Sequence, residues 1–203
     1  MATLNSKKQE LLQELGKESI FQAVLLIYKD EGYDGLTMHN VASKAGMATG
    51  TIYNYFESKD TILDYVEDRM LKNFVKSGQH IFNSGTPVEK LSAFIKHCFT
   101  FSVDNLLSFT LLRQAHVGPP FQPESIDKWD KAVFQFLDKI IEEGIAAGRF
   151  RNIDPRKTAT CILELIVGIV QRNNNRQMLD PEKHTQQAME FITPYLCHST
   201  FIP

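Results

Sequence analysis

At 203 residues, with 43% apolar and 23% charged side chains, the chain is long enough and apolar enough to fold around a core rather than stay disordered. Its net charge of −2 gives no whole-molecule electrostatic case for polyanions or anionic membranes, and the longest apolar run, "CILELIVGIV", is too short to span a bilayer and contains Glu164. Three scattered cysteines (Cys98, Cys161, Cys197) have no metal-ligand spacing, and the polar N-terminus is no secretion signal, so a soluble cytoplasmic protein is expected.

Nearly every segment has helical period and none alternates convincingly with period two, which predicts an all-α fold of about nine helices. Ser6 with Gln9 reads as a capping box opening a first helix that ends near Gly32, with Leu12, Leu15, Ala23, Val24, Ile27 and Tyr28 inward. Thr37 caps a short second helix running to Ala45, and Gly46 supplies the residue after it. The third helix is expected from Thr49 to Phe56. Ser58 then caps a long fourth helix that turns Ile62, Val66, Met70 and Phe74 to one side.

A second capping box, Thr86 with Glu89, has Pro87 at the first helical position and opens a helix burying Leu91, Phe94, Ile95 and Cys98. Further helices are expected over Leu106 to His116 and over Pro123 to Ala147. The second of these directs Trp129, Val133, Phe136, Leu137 and Ile140 inward and stops at Gly148. Asp154–Pro155 and Asp180–Pro181 open the last two helices, and Pro194 is expected to kink or end the ninth.

From Ala159 to Val170 only Thr160, Glu164 and Gly168 interrupt the apolar residues, so the eighth helix needs cover on several sides. The simplest cover is a second copy, a homodimer with Ile166 and Ile169 at the contact. Ala188, Phe191, Ile192 and Tyr195 of the ninth helix would lie beside them. A fully interior helix of a monomer is the other reading.

Two short helices joined by "KAGMATG" have the length and turn of a helix-turn-helix. In "TGTIYNYF", Ile52 and Phe56 stand four apart and seat the helix, which leaves Thr51, Tyr53, Asn54 and Tyr55 largely outward. Hydroxyls and phenols donate to phosphate oxygens, and threonine methyls and tyrosine rings suit a thymine methyl. Gly50 lets the backbone approach a duplex closely. Lys59, at the first position of its helix, opposes the macrodipole, a conflict that a bound phosphate removes. His39 opens the second helix, where phosphate contact and plain exposure both stay open. The first 70 residues carry seven Lys/Arg against eleven Asp/Glu, which favours ordinary surface aromatics; residues 37–59 hold Lys44 and Lys59 against Glu57, a net of +1.

The stretch "GLTMHNVASKAGMATGTIYNYFESKDTIL" resembles the N-terminal DNA-binding region of the tetracycline-repressor family of bacterial transcription factors. The resemblance rests on Gly35, Thr37, Val41, Ala42, Ala45–Gly46, the run from Gly50 to Phe56, Lys59 and Leu63. "EEGIAAGRFRNIDPRKTA" is similar to the family's join between its seventh and eighth helices. The resemblance implies a three-helix DNA-binding domain over 1–58 and a larger helical ligand-binding and dimerisation domain over 59–203. It implies a repressor released from a palindromic double-stranded DNA operator by a small apolar effector. By the same resemblance Thr37, Tyr55 and Lys59 hold phosphates, while Thr49, Gly50, Thr51, Tyr53 and Asn54 face the groove. Ala48 stands where many members have a capping serine, and Thr49 is expected to take that role.

No two of the six histidines are three or four residues apart, and no phosphate loop, nucleophile elbow or carboxylate pair occurs. No metal, cofactor or catalytic residue is therefore expected. The middle helices are rich in phenylalanine, and an aromatic cavity with a few polar groups is a common small-molecule site. His97, Phe101, Arg113, His116, Trp129, Phe136 and Glu164 are the candidate effector contacts, with plain core packing the alternative for each. A helical carrier of lipid or another hydrophobic ligand, without a DNA role, is the competing function.

Overall fold

The computed structural model describes residues 4–115, 123–174 and 178–198. Nine α-helices and no strand stand among them: α1 (Leu4–Glu31), α2 (Met38–Lys44), α3 (Thr49–Tyr53), α4 (Lys59–Gly78), α5 (Pro87–Asp104), α6 (Leu106–Ala115), α7 (Pro123–Ala146), α8 (Pro155–Asn174) and α9 (Pro181–Leu196). A short 3-10 turn, Gln79–Phe82, follows α4. By compactness the chain forms two units, Met1–Met70 with Leu107–Phe121 and Leu71–Leu106 with Gln122–Pro203, so their boundary falls within α4.

In the first unit the core consists of Ile20, Ala23, Val24 and Ile27 of α1 with Leu36, Val41, Ala42, Ile52, Phe56, Ile62 and Val66. α2 packs on both α1 and α3. The Thr37 hydroxyl oxygen accepts from the Asn40 N–H at 3.1 Å and fixes the start of α2. Gly46 ends α2 at φ +70, which lets the Met47 N–H donate back to Ala42 at 2.9 Å and turns the chain sharply into α3. Ser58 and Thr61 cap α4 reciprocally, each backbone N–H donating to the other's hydroxyl.

Three expectations change in this unit. α1 begins at Leu4, so Ser6 lies inside its first turns instead of capping it. Leu12 and Leu15 are exposed, because the buried stripe of α1 starts only at Gly16 and Ile20. Thr49 is the first helical residue of α3 and not its cap; the cap position is Ala48, extended at φ −67 and ψ 146, with no side-chain hydrogen bond.

The second unit is built on α5, which packs against α7, α8 and α9. Its capping box is closed, with Thr86 N–H donating to Glu89 at 2.7 Å and Glu89 N–H to the Thr86 hydroxyl at 3.3 Å. Asp154 and Asp180 cap α8 and α9, each accepting a backbone N–H at 3.0 Å. The ammonium of buried Lys90 donates to both Glu143 carboxylate oxygens, at 2.6 and 2.8 Å, tying α5 to α7. After Gly148 (φ +65) the Phe150 ring lies on Gly144, where a Cβ has no room, and Phe150 pairs with Cys197 beyond α9. α9 ends two residues past Pro194.

α8 is not an interior helix of this chain. Ile166 is buried within its own unit, Ile169 is half-buried, and Glu164, Val167 and Gly168 face outward. On α9, Ala188 and Ile192 are buried while Phe191 is 77% exposed and Tyr195 60%. Ile166, Ala188 and Ile192 therefore serve the unit's own core, and the apolar surplus is carried by Val167, Phe191 and Tyr195.

The bare N-terminus of α3 gives a direct test. Ala48→Ser should raise stability by about 1 kcal/mol by supplying the missing cap. Denaturant unfolding should show a higher midpoint with an unchanged slope; an unchanged midpoint would mean those N–H groups already have partners.

Candidate nucleic-acid interface

α3 has only five residues, and its orientation is set by two apolar anchors. Ile52 is wholly buried and Phe56 nearly so, its ring 5.3 Å from that of Tyr65. With both anchors turned inward, helical geometry sends Tyr53, Asn54 and Gly50 outward, and all three are exposed. Thr49 and Thr51 are half-buried at the margin of that surface. Ala48 offers no side-chain cap, and its carbonyl accepts from the Thr51 N–H at 2.8 Å, so the Thr49 and Gly50 N–H groups ahead of it are the ones a ligand could engage.

The proposed phosphate contacts surround this helix. Thr37 is exposed; its oxygen accepts the capping bond, so its O–H remains available as a donor. His39 is also exposed. Lys59 is half-buried, with its ammonium 3.7 Å above the centre of the Tyr33 ring. That cation–π contact holds the charge at the start of α4 and partly compensates its conflict with the helix dipole. Tyr55 is half-buried and does not project freely: its phenol lies against Gly16 of α1, where even a Cβ has no room. Sequence reasoning missed both supports, Tyr33 and Gly16. They are far away along the chain, and the only sequence signal was a glycine inside a helix, which usually marks a close approach.

Two ion pairs join helices in this unit. Lys44 reaches Asp30 at 3.3 Å, and Arg69 pairs with Glu18 while stacking 4.3 Å over Phe21. A hydrogen bond from Gln22 and the Arg69 guanidinium hold the Glu18 carboxyl below its ordinary range, against the opposing effect of burial.

In the second unit four of the seven candidate effector contacts come together. Phe74 is their hub, with ring centres at 4.7 Å from His97, 5.3 Å from Phe101, 5.8 Å from Trp129 and 6.1 Å from Phe136. Phe94 and Phe82 stack on Phe136, each at 5.3 Å. His97 Nε2 donates to the Phe74 carbonyl at 3.0 Å, and burial lowers the pKa of its imidazole. Glu164 is exposed on α8, Arg113 is exposed on α6 in the first unit, and His116 lies outside the described residues. A groove of about 580 Å³ opens between α5 and α9, but it is lined by Glu89, Glu182 and Glu190 as well as Val88 and Met189, and by none of the seven.

Comparison with known proteins agrees with this architecture. Residues 26–66 match the profile described as "Bacterial regulatory proteins, tetR family", and residues 84–192 match a "Tetracyclin repressor-like, C-terminal domain". The chain is 26% identical over 176 residues to the fatty acid metabolism regulator protein of Bacillus subtilis (strain 168), covering 84% of this chain and 87% of that one. It shares the fold of a TetR transcription regulator from Haloarcula marismortui, with a TM-score of 0.78, 21% identity, and coverage of 91% and 100%. The structure of the transcriptional regulator FadR from Bacillus subtilis in complex with stearoyl-CoA aligns with a TM-score of 0.74 at 24% identity, covering 88% and 98%.

Two outcomes are expected from these contacts. Lys59→Ala should weaken binding to all DNA sequences alike and take about one unit from the salt slope, whereas Gly16→Val should dislodge Tyr55 and lower affinity with helicity retained. Anisotropy titrations over a salt series read both; an unchanged slope for Lys59→Ala removes that contact. The second outcome concerns pH. Burial lowers the His97 pKa in the folded state, so near and below the ordinary imidazole pKa the unfolded chain binds more protons. Stability should fall as pH drops through about 6.5, and His97→Phe should lose that component of the slope. Equal pH slopes for the two proteins would show that His97 titrates freely.

Proposed function

The chain belongs to the tetR family of bacterial regulatory proteins and is a DNA-binding transcriptional regulator, not an enzyme; from that premise we propose that it is a cytoplasmic repressor. It acts as a homodimer on a palindromic operator and leaves it when a small, largely apolar effector enters the second unit. The carrying observation is the outward face of α3, where Tyr53 and Asn54 are free to meet base edges because Ile52 and Phe56 are buried behind them. The DNA-binding domain comprises residues 1–58 and the regulatory domain 59–203. Thr37, His39, Tyr55 and Lys59 position the protein on phosphates. Thr49, Gly50, Thr51, Tyr53 and Asn54 face the major groove.

The dimer forms through α8 and α9. Val167 on α8 and Phe191 and Tyr195 on α9 are the large apolar side chains these two helices leave exposed, which supports this reading. The effector binds among Phe101, Trp129, Phe136 and His97, where His97 and Trp129 are the side chains that combine a ring with polar nitrogen atoms. Because Phe74 touches each of these rings, an effector that enters between them requires at least one ring to move. An acyl chain is the first effector class to try, given the fatty acid regulator of Bacillus subtilis among the relatives and the stearoyl-CoA bound to its solved neighbour.

The test is selection of bound sequences from random DNA, followed by titration of the selected duplex with stearoyl-CoA. Operator affinity should fall, Trp129 fluorescence should change, and the duplex should weaken ligand binding by the same factor. Tight ligand binding with unchanged operator affinity would remove the regulatory role of the site. For assembly, Phe191→Asp should leave the fold intact, because the side chain is exposed in the single chain, yet convert dimers to monomers and cost most of the affinity for the palindrome. A dimer of that variant in sedimentation would take Phe191 out of the interface.

A further inference from the structure

The groove between α5 and α9 has no part in the function proposed above, and its chemistry differs from that of the aromatic cluster. At about 580 Å³ it is within the roughly 300–1,000 Å³ usual for small-molecule sites. Its described lining includes Glu89, Glu182 and Glu190 and no basic side chain. The bases nearby act outside it. Lys96 pairs with Glu182 at the start of α9, where Lys183 also stands, so that end is balanced. Arg151 donates to the Cys197 and Pro194 carbonyls, at 2.9 and 3.2 Å, past the other end.

What stays open is a set of hydrogen-bond acceptors near the end of α9. Pro194 stands inside the helix and has no N–H, so the Glu190 carbonyl lacks the bond an α-helix would give it. Thr193 lines the groove and is only 8% exposed, yet its hydroxyl has no hydrogen-bond partner among the described residues. A buried hydroxyl in that state costs stability unless something pairs with it. The Glu190 carboxylate accepts one bond, from the Gln186 amide at 3.0 Å. Glu89, at the start of α5, adds a second carboxylate. The Thr86 N–H and hydroxyl hold it below its ordinary range, and both bonds fall on Oε2 and leave Oε1 unused.

We propose that this groove binds an organic ammonium ion, a primary amine carried on a short alkyl chain. An ammonium group has three N–H donors and no acceptor, the complement of a carbonyl, a hydroxyl oxygen and two carboxylates. Val88, Met189 and Pro194 supply the apolar wall against which the alkyl chain lies. A metal ion does not fit, because no three His, Cys, Asp or Glu side chains among the described residues are grouped to hold one. An anion meets only like charge. Thr193 is two residues from both Phe191 and Tyr195, about 200° around the helix, so the groove opens on the side of α9 away from the proposed dimer contact. The site does not depend on that dimer.

Calorimetric titration of the full chain with n-hexylamine at neutral pH and low salt tests this, with circular dichroism to confirm folding. One saturable site per chain is expected. Hexanoate and 1-hexanol have the same alkyl chain without the ammonium and should bind at least about tenfold more weakly. Exposed ion pairs are individually weak, so Glu190→Gln should cost about threefold, and Glu190→Gln with Glu89→Gln about tenfold. Glutamine at 89 preserves the capping box, which keeps α5 intact. Thr193→Val should weaken binding several-fold, whereas Thr193→Ser should retain it. Glu142→Gln removes an exposed carboxylate on α7 and should change nothing. Absence of saturable binding, equal affinity for 1-hexanol, a loss with Glu142→Gln as large as with Glu190→Gln, or binding that both Glu190→Gln and Thr193→Val leave unchanged would overturn the proposal.

Discussion

A helix of five residues cannot hold itself together in water, because nucleation costs more than its one or two internal hydrogen bonds return. α3 exists because Ile52 is buried completely and Phe56 almost completely, so tertiary packing substitutes for propensity. The same two anchors determine which residues face out. Any rotation that exposed Tyr55 fully or buried Tyr53 would lift Ile52 from the core, at a cost of about 1.5–3 kcal/mol for such a side chain. The surface proposed to face DNA is thus a consequence of core packing, and its rigidity comes from there.

Electrostatics divides by distance in this protein. Ion pairing leaves the acidic excess of the first 70 residues unchanged, since Asp30 and Glu18 each engage one base of the same segment, Lys44 and Arg69. What remains near α3 is local: the uncapped N–H groups, several hydroxyls, and one ammonium held over Tyr33. Screening over a Debye length of about 8 Å favours such near groups over the net charge of the molecule. With this arrangement the proposed interface would draw its affinity from well-placed hydrogen bonds more than from net charge.

Much of the helical frame was legible in the sequence because capping is local chemistry. Thr37, Ser58, Thr86, Asp154 and Asp180 cap as their spacing predicts, and Gly46 and Gly148 take the positive φ their positions call for. Periodicity reveals that a stripe is apolar but not whether anything covers it. That is why Leu12 and Leu15 were expected inside and are exposed, and why Ile166 was assigned to an interface and is core. Contacts between distant residues were not legible at all. Nothing near Lys59 announces Tyr33, nothing near Tyr55 announces Gly16, and the role of Phe74 as the centre of the aromatic cluster required two other helices, α5 and α7, to be placed. Glu164 illustrates the opposite error: a charge inside an apolar run suggested a polar group turned inward, and it faces out.

The central claim is that α3 reads the major groove. Methylation interference on the selected duplex tests it most directly, because dimethyl sulfate marks guanine N7 in the major groove and adenine N3 in the minor groove. The account predicts interference at guanine N7 in two clusters related by the symmetry of the site, with little effect from adenine N3 between them. Interference confined to adenine N3, or none at any base, would contradict it.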